Sequence, residues 1–205
     1  MVMAKLEMWV EFASTYSYLS VMRIDALAEA AGVETVWTPF LLGPIFRMNG
    51  WDTSPFNIFE AKGRYMWRDV ERRAEKHGLS FRRPPEDQRP PFPQNGLHAA
   101  RMALIGLEAR WGRPFCRAVY AAQFVEGRDI GEAALIAALA KEAGASAEEI
   151  EAAGGEAVKA QLRGVTERAA EIGIFGAPSF VVGEELYWGD DRLEEAIEAA
   201  RRLPD

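Results

Sequence analysis

The chain has a single cysteine, Cys116, among its 205 residues. One thiol can form neither an intramolecular disulfide framework nor a Cys-x-x-Cys redox pair, so a cross-linked scaffold and a dithiol oxidoreductase are both disfavoured. A reducing, cytoplasmic setting fits that scarcity. Histidine is nearly as rare: His77 and His98 stand in separate helical stretches, away from any acid pair or cysteine at metal-ligand spacing, and no metal site is expected. The chain lacks an apolar run of about 18 residues, and it does not open on a basic segment followed by a hydrophobic one, so neither a membrane span nor a signal peptide is expected. Positive charge is in deficit as well. A formal charge of −7 argues against non-specific nucleic-acid binding, which draws on basic patches, and the pairs Arg72-Arg73 and Arg82-Arg83 read as solvated charges on a helix and its following loop.

What is present is apolar residue in quantity, 49% of the chain with six tryptophans, enough for one substantial core. Leu6 to Phe12 reads as a buried first strand. Ser14, Thr15 and Ser17 can each cap a helix that runs through Leu19, Met22, Leu27 and Ala31 to Gly32, and Val33 to Phe40 reads as a second strand. The opening is therefore strand, helix, strand, most simply a parallel pair. Its counterpart lies at the far end. Val158, Leu162, Val165, Ala169 and Ile172 mark one face of a helix; Phe180–Val182 and Leu186–Trp188 flank a turn at Gly183–Glu185; and Leu193, Ile197 and Ala200 mark a last helix, with Asp190 or Asp191 as its cap.

Between these ends, residues 43–154 carry little strand signal. Ser54-Pro55 reads as a helix start, and residues 62–77 as a charged helix with Tyr65, Met66, Val70 and Ala74 inward. The proline-rich segment 82–93 reads as a loop. Further helices are expected at 95–111, 114–126 and 131–143, and Ser146 with Glu149 has the spacing of a capping box. The pattern is an all-helical block inserted into a small α/β unit, and the cleft between the two parts is the expected place for a site.

Three positions bear on chemistry. A hydroxyl at Ser14 or Ser17, between the end of a strand and the start of a helix, lies where free N–H groups favour an anion, and it also serves simply as a cap. Lys62 can pair with a ligand carboxylate or stay solvated. Gly173, Gly176 and Pro178 make a tight join before the third strand. The residues alone allow a trans turn there, or a cis Ala177–Pro178 bond that turns backbone groups outward into a cleft.

Five fragments, taken together and in order, resemble one family: Phe12-Ala-Ser14-Thr-Tyr-Ser17-Tyr-Leu19, Leu42-Gly-Pro-Ile-Phe46, Ala61-Lys-Gly-Arg-Tyr65, Gly173-Ile-Phe-Gly-Ala-Pro-Ser-Phe180 and Leu186-Tyr-Trp-Gly-Asp-Asp-Arg-Leu193. They are similar to the 2-hydroxychromene-2-carboxylate isomerases, relatives of the kappa-class glutathione transferases. The resemblance implies an α/β fold: a discontinuous thioredoxin-like domain of residues 1–42 and 155–205, with a DsbA-type all-helical insertion at 43–154. It implies that Ser14, standing where dithiol relatives keep their first cysteine, donates to the sulfur of glutathione and favours its thiolate. Thr15 departs from the family's usual proline. Pro178 is implied to be cis, with the Ala177 backbone pairing with the glutathione cysteinyl unit, Asp190 and Asp191 meeting its γ-glutamyl end, and Lys62 and Asn49 completing the cofactor site.

The implied reaction is glutathione-dependent cis–trans isomerisation of 2-hydroxychromene-2-carboxylate or a related aromatic acid. Phe46, Trp51 and Tyr65 would wall the substrate, and Lys62 or Arg64 would supply the counter-charge. A homodimer is implied too. Two other activities stay open: a kappa-like glutathione transferase that releases stable conjugates, and a non-catalytic thioredoxin-fold binding protein.

Overall fold

The computed structural model describes residues 5–84 and 91–203. Strand β1 (Lys5–Val10) is followed by helices α1 (Thr15–Val21) and α2 (Ile24–Ala31) and by strand β2 (Glu34–Pro39). The helical block comprises α3 (Leu42–Met48), α4 (Pro55–Ile58), α5 (Glu60–Lys76), α6 (Leu97–Glu108), α7 (Gly112–Ala121), a π-helical turn at Ala122–Glu126, α8 (Ala133–Ala143) and α9 (Ala147–Ala152). Helix α10 (Glu156–Ile172), hairpin strands β3 (Ser179–Val182) and β4 (Glu185–Trp188), a 3-10 turn at Asp190–Arg192 and α11 (Leu193–Arg202) complete the chain.

The four strands form one sheet in the order β2-β1-β3-β4. β1 runs parallel to β2, with Met8 opposite Trp37, and antiparallel to β3, with Met8 opposite Phe180. Alternation along β1 explains why this strand is central. Leu6, Met8 and Val10 enter one hydrophobic cluster, with Phe12, Leu19 and Ile24, while Trp9 points to the other face and joins Phe40, Ile45, Ala169 and Ile174. Both faces of the strand are thus covered. Each large side chain so buried contributes about 1.5–3 kcal/mol relative to exposure.

The sequence-based expectations hold for the fold, a thioredoxin-like sheet carrying a DsbA-like set of helices, and differ locally. The first helix is broken at Met22–Arg23 into two, and at the break the Arg23 side chain pairs with Asp190 and Glu194. Helix α3 was not expected as a helix; Gly43 and Pro44 fall within its first turn, where a missing N–H costs nothing. The segment expected as one helix over 114–126 ends in the π-helical turn. Of the proline-rich segment, residues 85–90 lie outside the described residues.

Two chain reversals position the site. Gly173 ends α10 at φ 89°, and the Ile174 N–H returns to the Ala169 carbonyl at 2.9 Å, the left-handed closure that glycine allows without penalty. Three residues on, Gly176 faces the indole of Trp188 so closely that a Cβ would fall 2.3 Å from Nε1. Only glycine lets β4 fold back over this loop. The next bond, Ala177–Pro178, is cis.

Candidate active site

The end of β1, the start of α1 and the loop before β3 meet at Ser14. Its Oγ accepts the Ser17 N–H at 3.1 Å, capping α1, and donates to the Ala177 carbonyl at 2.8 Å. A hydroxyl carries one proton and two acceptor lone pairs, so the proton now spent on Ala177 is free to rotate toward an incoming anion. Around this contact lies a cavity of about 1000 Å³, the upper end of the range of about 300–1,000 Å³ that holds small ligands.

The cavity has aromatic walls. Tyr16, Phe46, Trp51, Phe56, Phe175 and Trp188 all line it. Phe46 and Trp51 lie 6.0 Å apart between ring centroids, and Phe175 and Trp188 make an edge-on pair at 4.8 Å beside Gly176. Lys62 and Arg47 bring positive charge to the same space. Lys62 Nζ sits 4.7 Å from the centroid of the Phe59 ring, and neither cation has a carboxylate partner among the described residues. Asn49 also lines the cavity, but its side-chain amide donates to the Ile45 carbonyl at 2.9 Å, within its own helix.

Ser14, Ala177, Lys62, Asn49, Phe46 and Trp51 are therefore brought to one space. Five other expected residues are not. Asp190 is buried, with its carboxylate fully engaged: Ser20 Oγ and Arg23 donate to one oxygen at 2.9 and 2.7 Å, and Arg73 Nε donates to the other at 2.8 Å. It ties α1, the α1–α2 junction and α5 to the 3-10 turn before α11 and has no remaining capacity for a ligand ammonium. Asp191 is exposed, faces Arg192 at 3.6 Å and is not part of the cavity wall. Arg64 pairs with Glu60 on the outer face of α5. Tyr65 is 60% exposed, with its hydroxyl 3.5 Å from Asp69. Helical geometry accounts for both: Gly63, Met66, Val70 and Ala74 form the buried face, and a residue one place before Met66 is turned away by about 100°. Pro178 follows Ala177 directly, yet the cavity is lined by Ala177 and not by the proline ring.

The structure also adds residues. Glu11 lines the cavity although it is only 8% exposed, and burial pushes its carboxyl up to about 7, partly opposed by the Ala13 N–H that donates to Oε2 at 3.0 Å. The signal in the sequence is an acid between the apolar run Met8-Trp9-Val10 and Phe12, since a charged residue inside a buried strand pattern needs a reason. Arg47, the one basic residue between Phe40 and Ala61, carries a similar signal. Thr15 is 1% exposed and lines the cavity; its hydroxyl has no hydrogen-bond partner among the described residues. Cys116 is buried in α7, and burial holds its thiol up at about 12, far from a reactive thiolate.

Comparisons with known proteins agree with this architecture. The chain is 24% identical over 191 residues to a 2-hydroxychromene-2-carboxylate isomerase of Sphingobium xenophagum, covering 92% of this chain and 94% of that one. Among solved structures, a 2-hydroxychromene-2-carboxylate isomerase superposes with a TM-score of 0.80 at 23% identity, over 95% of this chain and 93% of the other. The cytosolic disulfide reductase DsbM of Pseudomonas aeruginosa, solved with GSH, superposes with a TM-score of 0.63 at 17% identity, over 96% and 95% of the two chains. At these identities the structural likeness establishes the fold. Residues 5–200 match the DSBA-like thioredoxin domain, and the chain belongs to that family.

Proposed function

We propose that this protein is a glutathione-dependent isomerase acting on 2-hydroxychromene-2-carboxylate or a related aromatic acid. The observation that carries the reading is the Ser14 hydroxyl resting on the Ala177 carbonyl at the edge of an aromatic cavity that holds two cations. The position at the start of α1 where family members with redox activity need a thiol carries a hydroxyl instead, and Ser17 stands three residues on. A hydroxyl cannot exchange disulfides, but it can stabilise a thiolate by hydrogen bonding. Similarity to the isomerases supports the reaction, and the glutathione in the DsbM structure supports a thiol tripeptide as the ligand class.

In this reading the extended backbone of the tripeptide lies along Ala177 as an added strand would. Its sulfur takes the Ser14 proton in hydrogen bonding. The thiolate adds to the conjugated carbon of the substrate, the former double bond rotates as a single bond, and the double bond re-forms as the thiolate leaves. Glutathione is regenerated. The substrate ring lies between the aromatic walls, and its carboxylate meets Lys62 or Arg47.

The test is product analysis with stoichiometry. Incubation with 2-hydroxychromene-2-carboxylate and catalytic glutathione is expected to give trans-o-hydroxybenzylidenepyruvate with the thiol undiminished. A stable conjugate with equimolar loss of glutathione would identify a transferase instead. Absence of saturable glutathione binding in calorimetry would leave only a binding protein of this fold. Light scattering on the eluting protein tests the homodimer.

A further inference from the structure

Glu11 takes no part in the addition, rotation and departure of the thiolate. It follows the last residue of β1, where the chain turns into α1, and its backbone carbonyl accepts both the Ser14 N–H at 3.0 Å and the Tyr120 hydroxyl at 2.8 Å. Its backbone is thereby fixed three residues from Ser14. Oε2 is held by the Ala13 N–H, while Oε1 packs toward Gly96, where an added Cβ would fall 3.2 Å away. No lysine or arginine among the described residues forms an ion pair with it. The titratable group facing it from α7 is Tyr120, whose own proton is retained by burial and by the charge of Glu11. From α1 the uncharged Thr15 borders the same cavity, as do Gln94 and Gly96 from the segment before α6. Among the described residues, Arg47, Lys62 and Asp52 are the other charged residues of the cavity wall. A carboxyl in such surroundings exchanges a proton near neutrality instead of staying ionised.

The proposed reaction requires such a group. Opening a cyclic hemiketal breaks the bond between C2 and the ring oxygen and makes the C2 hydroxyl into a ketone. One proton leaves that hydroxyl, and one arrives on the phenolic oxygen. No oxidant or reductant enters, and the balance is the same whether or not sulfur has added elsewhere. Ser14 is committed to sulfur, and Lys62 and Arg47 are cations that hold a carboxylate.

We propose that Glu11 is the acid–base group of this cavity, taking the proton from the hemiketal hydroxyl as its carboxylate and returning it to the phenolic oxygen as its acid. The proposal rests on the isomerase reading and names the proton carrier within it. Glu11→Gln tests it, because an amide oxygen still accepts the Ala13 N–H but cannot shuttle a proton. The expected result is a fall in kcat of about 10²-fold or more, with loss of the pH-rate limb near neutrality and a glutathione Kd within about threefold of the parent. Glu11→Asp keeps the limb with an intermediate rate. A Glu11→Gln enzyme that retains the parent rate or the parent pH profile overturns the proposal while leaving the isomerase reading intact. Infrared difference spectra of the ligand-free parent between pH 5.5 and 8.5 provide a readout that needs neither turnover nor a folded glutamine variant. A carboxylic acid band that disappears across that interval is expected, in the parent and in Glu11→Asp alike; its absence from the parent also overturns the proposal. Failure of the parent to bind glutathione or turn over the chromene acid would instead remove the isomerase reading, whatever the infrared result.

Discussion

The Ser14 hydroxyl donates to the Ala177 carbonyl at 2.8 Å across 163 positions of sequence, so the start of α1 and the loop before β3 are joined at the point where a ligand would be held. The same oxygen caps the helix by accepting the Ser17 N–H. One side chain thus serves local structure and the site at once, and its removal should affect both.

Ser14→Ala is expected to cost about 1 kcal/mol of stability through the lost cap. It should also raise the pKa of bound glutathione by about one to two units and slow turnover about 10- to 100-fold, the range for one hydrogen bond to a charged group. Ultraviolet titration of the bound thiolate measures the first effect and steady-state rates the second. A thiol pKa and a rate both equal to the parent's would remove Ser14 from the chemistry and leave it a cap.

Asp190 is expected to matter for folding and not for the ligand. Its side chain is fully buried between Arg23 and Arg73, whose side chains are 10% and 23% exposed. Deleting one member of a buried ionic cluster leaves the others uncompensated and costs about 3–5 kcal/mol. Asp190→Ala should therefore lower the denaturation midpoint sharply, while the surviving folded protein binds glutathione within about twofold of the parent. A large loss of affinity with unchanged stability would return Asp190 to the role implied by resemblance.

Lys62 and Arg47 are expected to act on the substrate acid. Both are cations of the cavity wall without an ion-pair partner among the described residues. Replacing either by alanine removes one partly solvated charge interaction of about 1 kcal/mol, so KM for the aromatic acid should rise about fivefold with little change in kcat. Lys62→Arg should restore most of the loss. If KM for the acid is unmoved in both alanine variants, the carboxylate is held elsewhere.

The fold was legible because its signals are local: alternation in Lys5–Val10, three- and four-residue spacing at Val158, Leu162, Val165 and Ala169, and glycine at the ends of α2 and α10. The place of the candidate site was legible at Ser14 and Ala177, which short motifs at the ends of two strands bring together. It was not legible where the direction of a side chain depends on distant elements. Asp190 and Asp191 are neighbours in sequence at the start of a helix, yet arginines from α5 and the α1–α2 junction claim the first and leave the second in solvent. Tyr65 lost its assigned place because one step along α5 crosses from the buried face to the exposed one. Glu11 falls inside the expected strand Leu6–Phe12, where its type alone signals a buried acid, but its place in the cavity wall depends on the approach of Gly96 from the segment before α6 and is not legible locally.

Glu11 should also make stability depend on pH in a direction opposite to that of a salt-bridged acid. Burial pushes its carboxyl from an ordinary 4.5 up to about 7 in the folded chain. Below pH 4.5 both states hold the proton and the group has no net effect. As pH rises toward 7 the unfolded chain releases its proton while the folded chain retains it, so stability falls, and above 7 the full penalty of burying a carboxylate applies. A rise of this size corresponds to about 3 kcal/mol. Glu11→Gln, which never ionises, should therefore match the parent in urea-midpoint stability near pH 4 and exceed it by up to about 3 kcal/mol near pH 8. Comparing the two proteins at each pH cancels the titration of every other carboxyl. A stability difference that stays the same at pH 4 and pH 8 would mean that Glu11 ionises as readily in the folded chain as in the unfolded one, and that the cavity does not hold its proton.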